Sequence, residues 1–221
     1  MDLTLAAEWL NNTFYAFDKA ILGFWHGVAE GAGGALTPLM RFVTLIGEKG
    51  LLMFLLAFLL LCFPKTRRIG VCIFGAVCCG ALITNIVLKD FVARPRPFET
   101  DALFREWWIF LGSPAEDGFS FPSGHTTAAM AGITALVMSG KKPALWLGYI
   151  YVVLIAISRN YLMAHYPSDV LTAILVGLFS AAAAYVISLG IFAFLEKHGK
   201  NAFCAFVLDF DPRRIFSGNR K

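Results

Sequence analysis

The sequence is poor in charged residues, and neither its cysteines nor its acidic residues form a pattern typical of a metal site. Only 15% of its 221 residues are charged, against about 25% in average soluble domains. The net charge of +4, from 19 basic and 15 acidic residues, is too small to indicate a nucleic-acid partner. The five cysteines lack the spacing of a disulfide framework or zinc site, and no acidic cluster suits Mg²⁺. No basic segment followed by an apolar run opens the sequence, so no cleavable signal peptide is expected. The composition, low in charge and 58% hydrophobic, excludes a disordered chain, a coiled coil and a nucleic-acid-binding tail protein.

Apolar residues are abundant and contiguous. They make up 58% of the chain, and the mean hydropathy is +0.68. Since a membrane-spanning helix needs about 20 apolar residues, the runs predict five spans, at residues 44–63, 69–88, 126–138, 144–157 and 170–195, with the fourth continuing toward Tyr161. The third run reaches spanning length only if its helix begins near Ser123. The predicted fold is an all-α integral-membrane bundle of five transmembrane helices, or six if the N-terminal segment also spans.

The N-terminal segment, residues 1–43, has a different pattern. Large apolar residues recur every three or four positions, the period of one helix face, at Phe14, Phe17, Ile21, Phe24 and Val28. Charged residues interrupt this face, residues 31–34 break it, and Thr37-Pro38 is typical of a new helix start. Because buried charge is costly in a bilayer, we predict two short helices in the membrane interface rather than a span.

The distribution of basic residues predicts the orientation. Eleven of the 19 lie on the side that carries the C-terminal tail, namely Lys65, Arg67, Arg68, Lys141, Lys142, Lys197, Lys200, Arg213, Arg214, Arg220 and Lys221. By the positive-inside rule this side is cytoplasmic. We therefore expect one domain over residues 1–221 in the cell (inner) membrane. This domain comprises the interfacial segment, a transmembrane core over residues 44–195 and a basic cytoplasmic tail over residues 196–221. The loop over residues 91–121 is expected to face the periplasm or cell exterior.

Polar residues cluster where predicted spans end or begin. An alternating topology brings these places to one side of the membrane, so that a single site can contain Lys89, Arg96, Ser123, His125, Arg159, His165 and Asp169. Each residue taken alone has a structural explanation. Lysine and arginine at span ends reach toward headgroups, Pro-Ser-Gly is a common helix start, and Asp169 has the spacing of a helix pair with His165. Their joint occurrence at one membrane face favours a functional site.

The residue types indicate phosphate chemistry. Lys89, Arg96 and Arg159 match the three acceptor oxygens of a phosphate monoester, and the Ser123 hydroxyl and Gly124 amide complete an anion cradle. Two histidines suit nucleophilic and acid–base work near neutral pH. Since Asp169 is spaced to orient His165, we expect His165 to attack phosphorus and His125 to act as the acid. The mechanism is expected to need neither a metal ion nor a cofactor.

Three motifs in this sequence resemble the signature motifs of the type 2 phosphatidic acid phosphatase superfamily. They are Lys89-x6-Arg96-Pro97, Pro122-Ser123-Gly124-His125 and Ser158-Arg159-x5-His165-x3-Asp169, in the family's order and spacing. The superfamily includes bacterial phosphatidylglycerophosphate and undecaprenyl-diphosphate phosphatases, glucose-6-phosphatase and soluble vanadium haloperoxidases. The resemblance implies a helical bundle, an outward-facing site, a phosphohistidine at His165 and proton donation by His125. It also implies that Lys89, Arg96, Ser123, Gly124 and Arg159 bind phosphate. Many membrane members begin with an extra span that is not recognisable here, which favours five spans.

The expected function is therefore hydrolysis of the terminal phosphate of a membrane lipid. Undecaprenyl diphosphate is favoured, because the chain is short and carries no added soluble domain. Phosphatidylglycerophosphate, phosphatidate and transfer of phosphate to another lipid share the same residues and stay open. A transporter is the alternative outside enzymes, although the charges lie at span ends rather than at the membrane midplane. The expected partners are the lipid phosphate and membrane lipids, with no nucleic acid and no metal.

Overall fold

A computed structural model describes residues 3–213, and all regular secondary structure in that range is helical. The α-helices are α1 (Leu5–Gly31), α2 (Thr37–Ile46), α3 (Leu51–Leu61), α4 (Arg67–Ala81), α5 (Lys89–Val92), α6 (Pro97–Thr100), α7 (Ala102–Phe110), α8 (Gly124–Gly140), α9 (Gly148–Tyr161), α10 (Pro167–Lys197) and α11 (Ala202–Asp209). A π-helical segment, Leu82–Leu88, joins α4 to α5, and short 3₁₀ turns lie at Glu48–Gly50 and Pro143–Leu147. The all-α prediction is confirmed for the described residues. Three basic residues of the predicted tail, Arg214, Arg220 and Lys221, lie outside them.

Four helical segments in the described range are long and apolar enough to cross a membrane. They are Thr37–Leu61, Arg67–Thr100, Pro143–Tyr161 and Pro167–Lys197. The predicted count of five or six spans is not confirmed. The predicted span that is missing from these four is the third, which corresponds to α8. This helix begins after Ser123 as predicted but has only 17 residues, about 25 Å of helix. The chain is a multi-pass membrane protein with α8 enclosed in its centre.

Helices α4, α8 and α10 form the main core of the bundle. From Thr126 to Ala135 nearly every residue of α8 is buried. A glycine on α10 allows the close approach of α8, because a Cβ on Gly177 would lie 2.7 Å from the Met130 Cβ. This packing holds the start of α8 beside the end of α4 and the start of α10, which is where the three sequence motifs lie.

The N-terminal segment differs from its prediction. The predicted break at residues 31–34 and the new helix at Thr37 are both present. However, α1 is one helix of 27 residues rather than a short one, and α2 opens the first candidate span instead of lying apart from it. No proline or glycine pair interrupts Leu5–Gly31, and Asp18, which seemed to forbid burial, is almost completely buried against an arginine. As predicted, α1 is not among the candidate spans. The burial of Asp18 was not predicted, because the cost of its charge was judged without the arginine that pairs with it.

The first candidate span is interrupted where it passes the core. Lys49 and Gly50 both have positive φ angles, 50° and 70°, so the helix changes direction between α2 and α3. A Cβ on Gly50 would lie 3.0 Å from the Ala128 Cβ, so glycine is needed both for the turn and for the contact with α8. Side chains on both sides of the interruption, Thr44, Glu48 and Lys49 among them, line a cavity.

The long loop after α5 folds back as α6 and α7 and packs against α1. Trp107 stacks on His26 with ring centroids 4.8 Å apart, and Trp108 stacks on Phe98 at 4.4 Å. Leu22 of α1 and Phe104 of α7 are fully buried in this second core. The loop and α1 thus form one layer over the ends of α9 and α10.

Candidate active site

One cavity of about 700 Å³ lies between α2, the end of α4, the start of α8 and the end of α9. Six of the eight residues predicted for the site line it, namely Lys89, Arg96, Gly124, His125, Arg159 and His165. The other two, Ser123 and Asp169, are fully buried behind its wall. The structure therefore brings together residues that are up to 76 positions apart in sequence, as the alternating topology predicts.

Arg159 presents an incompletely satisfied guanidinium group to this cavity. The residue is 1% exposed, and its Nη1 donates to the Thr44 Oγ1 at 2.6 Å. Its Nη2 lies 2.6 Å from the Glu116 Oε1 as an ion pair, but neither Nη2 nor Nε makes a well-oriented hydrogen bond. Since buried donors are nearly always paired in proteins, Nε can take up an anion directly, whereas Nη2 can do so only in place of Glu116.

Arg96 is held more tightly. Its Nη1 donates to the Ala164 carbonyl at 2.7 Å, its Nη2 to the Asp117 carbonyl at 2.6 Å, and its Nε to the Gly118 carbonyl at 3.0 Å. These bonds fix the Glu116–Gly118 part of the loop and the residue just before His165. Arg96 thus organises two walls of the cavity as well as supplying positive charge.

Glu116 was not singled out by its position in the sequence, yet it contacts both arginines. Its carboxylate lies 2.6 Å from the Arg159 Nη2 and 3.3 Å from the Arg96 Nη1. The side chain is 12% exposed. One negatively charged group therefore bridges the two guanidinium groups that were predicted to bind phosphate.

The imidazole of His165 is oriented by a backbone carbonyl. The residue is 2% exposed, and its Nδ1 lies 2.6 Å from the Ser120 carbonyl oxygen. Because a carbonyl can only accept, Nδ1 carries the proton and Nε2 keeps a free lone pair. Burial, followed by the charges of Arg159, Arg96 and Lys89, holds the pKa of His165 well below its usual value. A neutral imidazole with an unprotonated Nε2 is the form that can attack phosphorus.

Asp169 lies near His165, but not as part of a regular helix pair. His165 precedes α10, whereas Asp169 is in its first turn and accepts from the Tyr166 amide at 3.1 Å. The Asp169 Oδ2 lies 3.8 Å from the His165 Nδ1 and accepts a 2.5 Å hydrogen bond from the Ser120 hydroxyl. Ser120, which the sequence did not indicate, thus connects the histidine and the carboxylate.

Ser123 and Gly124 form the start of α8. The Ser123 hydroxyl caps the helix, 3.5 Å from the Thr126 amide and 3.1 Å from the Thr126 hydroxyl. Gly124 lines the cavity and has no side chain to cover the helix N-terminus. The end of α8 that carries the positive part of the helix dipole therefore faces the cavity.

Lys89 follows the π-helical segment at the end of α4. Asn85 and Thr84 of that segment line the cavity together with Lys89. Such wide turns are often found at functional sites because they change which side chains face inward. Asn85 is a further polar group of the site that apolar-run analysis did not separate from its neighbours.

Within residues 3–213, no group of three or more His, Cys, Asp or Glu side chains is arranged to hold a metal ion. The cavity instead combines lysine and arginine side chains with two histidines and a helix N-terminus. Such a set of groups is chemically suited to binding an anion, and its histidines are candidates for nucleophilic and acid–base roles.

Fold and site together define a multi-pass helical membrane protein with a cationic, histidine-containing cavity at the ends of its spans. Its residues 69–192 match the model of the PAP2 superfamily, and the chain belongs to that superfamily. The chain is 33% identical to an undecaprenyl-diphosphatase of Sulfolobus acidocaldarius over 54% of its own length and 55% of the relative's. It thus spans about half the length of that protein. It is 30% identical to the undecaprenyl-diphosphatase BcrC of Bacillus subtilis, over 74% of this chain and 78% of that one.

A solved structure shares the fold. The PAP2-type phosphatidylglycerolphosphate phosphatase from Bacillus subtilis superposes with a TM-score of 0.61, covering 85% of this chain and 90% of its own. At 21% sequence identity this likeness concerns the fold alone. It agrees with the all-α membrane bundle described above.

Proposed function

We propose that this protein is a lipid phosphate phosphatase that works through a phosphohistidine intermediate. The observation that carries the proposal is the position of Glu116, whose single carboxylate contacts both Arg96 and Arg159. Two guanidinium groups spaced to share one anion are suited to a phosphate, which has more acceptor oxygens and more charge than a carboxylate. In the substrate complex, phosphate takes the place of Glu116, and Lys89 and the Gly124 amide contact its remaining oxygens.

The proposed reaction has two steps. The His165 Nε2 forms a bond to phosphorus as the bond to the leaving oxygen breaks, and His125 gives that oxygen a proton. Burial and the nearby charge of Arg159 lower the pKa of His125 to about 2, so His125 takes up this proton when the negatively charged phosphate binds beside it. Water then attacks the phosphohistidine, His125 takes a proton from the water, and the nitrogen–phosphorus bond breaks to release inorganic phosphate. Ser120 holds the proton on Nδ1, and the negative charge of Asp169 stabilises the positive charge that develops on the ring. Neither step uses a metal ion.

Among lipid phosphates, we favour undecaprenyl diphosphate as the substrate. Arg41 and Lys49 also line the cavity, together with the acidic Glu48 and Asp117, so further charged groups lie beyond the three motif residues where a second phosphate could be held. Two relatives of the chain carry the name undecaprenyl-diphosphatase. Apolar side chains of Val77, Ala81 and Ala128 line the same cavity and are compatible with the first carbons of a lipid tail.

We further propose that the site faces the periplasm or cell exterior and that the basic tail is cytoplasmic. The cavity lies on the side of the long loop, opposite Lys65, Lys141 and Lys142. The positive-inside rule supports this orientation. In it, α1 and the loop lie along the outer interface, over the proposed site.

The test is a substrate panel with the purified full-length protein in detergent. Undecaprenyl diphosphate, phosphatidylglycerophosphate and phosphatidate are each supplied with EDTA, and both inorganic phosphate and phosphorylated lipid products are measured. We expect release of inorganic phosphate, fastest from the polyprenyl diphosphate, and inhibition by vanadate, whose adduct with His165 resembles the transition state.

Each alternative gives a different result in the same panel. A phosphotransferase would convert an added acceptor lipid into a new lipid phosphate with little free phosphate. Activity that vanishes in EDTA and returns with Mg²⁺ would contradict the metal-independent mechanism. Absence of turnover on every lipid phosphate would contradict the proposed function itself.

A further inference from the structure

A second group of charged residues lies behind His165, on the side away from the cavity. We call it the rear network, and it consists of Asp18, Arg94, Ser120, Ser168 and Asp169. Arg94 lies at its centre and is fully buried. Its Nη1 lies 2.6 Å from the Asp169 Oδ1, and its Nη2 lies 2.9 Å from the Asp18 Oδ2. One arginine therefore contacts two carboxylates, one of them beside the proposed nucleophile.

Asp18 comes from α1, the segment that the sequence assigned to the periphery. Its Oδ1 accepts from the Ser168 amide at 2.8 Å, and its Oδ2 accepts from the Ser168 hydroxyl at 2.8 Å as well as from Arg94. Burial raises the pKa of Asp18, but these three donors favour the ionised form. Since every partner donates, the group acts as a carboxylate anion.

The position of Arg94 is fixed on several sides. Its Nε donates to the Asn11 Oδ1 of α1 at 2.8 Å, and its Cζ lies 3.7 Å above the centre of the Tyr166 ring. Its backbone carbonyl accepts from the Ser120 amide at 2.7 Å. The same Ser120 binds the His165 Nδ1 through its carbonyl and the Asp169 Oδ2 through its hydroxyl. Arg94 and His165 are thus connected by one residue.

The charges in the rear network determine what Asp169 can do for His165. Arg94 and Asp169 alone would form a neutral pair, and little negative charge would remain to stabilise a positive imidazole. Asp18 supplies a second negative charge, so that the buried group of three has a net charge of −1. Charges of this kind act strongly in a site shielded from water.

We propose that Asp18 is a positioning residue of the phosphatase site. By balancing the charge of Arg94, it leaves the negative charge of Asp169 free to stabilise the positively charged ring of His165 in the phosphoenzyme. This inference rests on the proposed phosphohistidine function. It makes α1 an electrostatic part of the site, although no residue of α1 lines the cavity.

The test compares the Asp18→Asn variant with Tyr15→Phe in the full-length purified protein. Tyr15 lies one helical turn from Asp18 and its hydroxyl donates to Asp101 at 3.0 Å, so Tyr15→Phe removes a contact of α1 without changing charge. Two inhibitors separate the possible effects. Vanadate bonds to His165 and places positive charge on the ring, whereas inorganic phosphate reports on anion binding by Arg96 and Arg159.

We expect Asp18→Asn to raise the Ki for vanadate and to lower kcat, each by roughly tenfold, the effect of one lost charge interaction. The Ki for phosphate and the KM should stay within about twofold of the wild-type values, because these depend on the cavity. Tyr15→Phe should leave all four constants unchanged. A merely structural role of Asp18 would instead raise both inhibition constants together and lower the melting temperature.

A double variant keeps the test decisive if Asp18→Asn alone does not fold. Asp18→Asn with Arg94→Gln removes a whole ion pair and returns the network to a net charge of −1, so we expect a vanadate Ki close to the wild-type value. Replacement of a complete buried pair is also tolerated better than loss of one partner. A folded double variant with a tenfold weaker vanadate Ki would overturn the proposal, as would a folded Asp18→Asn variant with unchanged kcat and vanadate Ki. Failure of the wild-type protein to hydrolyse any lipid phosphate would instead overturn the proposed function.

Discussion

Arg94 and Arg96 are two residues apart in the chain, but they serve opposite sides of His165. Arg96 faces the cavity, where it and Arg159 share the single carboxylate of Glu116. Arg94 faces the rear network, where it contacts two carboxylates and is closed off from the cavity. The same residue type therefore supplies positive charge on one side of the histidine and is neutralised on the other.

The difference follows from what each side must do to the charge on the imidazole ring. On the cavity side, burial and the positive charges of Arg159, Arg96 and Lys89 hold the pKa of His165 low and keep the ring neutral, and in the proposed function the same charges bind the phosphate. On the rear side, in our proposal, net negative charge stabilises the ring once it has become positive. Loss of a cation on the cavity side should therefore weaken the binding of every anion, whereas loss of a charge in the rear network should weaken the binding only of species that are bonded to His165.

The largest effect on the cavity side is expected for Arg159→Gln. Loss of a preorganised cation from the site should lower kcat/KM by roughly 10²- to 10³-fold, and the Ki for phosphate and the Ki for vanadate should both rise. Steady-state kinetics with both inhibitors measures this. Arg105→Gln is the matched control, because Arg105 is an exposed arginine of the loop and does not line the cavity. A phosphate Ki unchanged in Arg159→Gln would place the anion elsewhere.

A smaller effect of opposite sign is expected for Glu116→Gln. This change removes the negative charge that competes with phosphate for Arg96 and Arg159, so the Ki for inorganic phosphate should fall by about threefold to tenfold. Isothermal titration with phosphate measures the change directly, and Glu106→Gln, at an exposed position of the same loop, is the control. Weaker phosphate binding in Glu116→Gln would mean that Glu116 supports the bound anion instead of competing with it.

The convergence of the motif residues could be predicted because it depends only on the alternating direction of the helices across the membrane. Once the apolar runs are recognised as helices that alternate in direction, the ends that carry Lys89, His125 and Arg159 must lie on one side. The start of α8 was also predictable, since Pro-Ser-Gly is a local signal and Ser123 caps the helix that it predicts.

The residues that escaped prediction have partners far away in the sequence. Asp18 binds Ser168, 150 positions later, and Arg94, 76 positions later. Without these partners a lone aspartate in an amphipathic helix indicates an exposed face, so α1 was assigned to the interface. Ser120 and Glu116 lie in an irregular loop, where no periodicity shows which side chains point inward. Such contacts depend on tertiary packing, which no local pattern encodes.

The central claim is that phosphate passes through a covalent bond to the His165 Nε2. A lipid phosphate or aryl phosphate with a radiolabelled terminal phosphorus is mixed with the purified protein, the reaction is quenched with denaturant, and the label on the protein is tested for stability in acid and in base. We predict a label that is lost in acid and kept in base, that maps to the peptide containing His165, and that is absent in His165→Ala, whose turnover should fall at least about 10⁴-fold. In His125→Ala an aryl phosphate should still label the protein, since a good leaving group needs no proton. Normal turnover by His165→Ala, or a label that maps to another residue, would contradict the account.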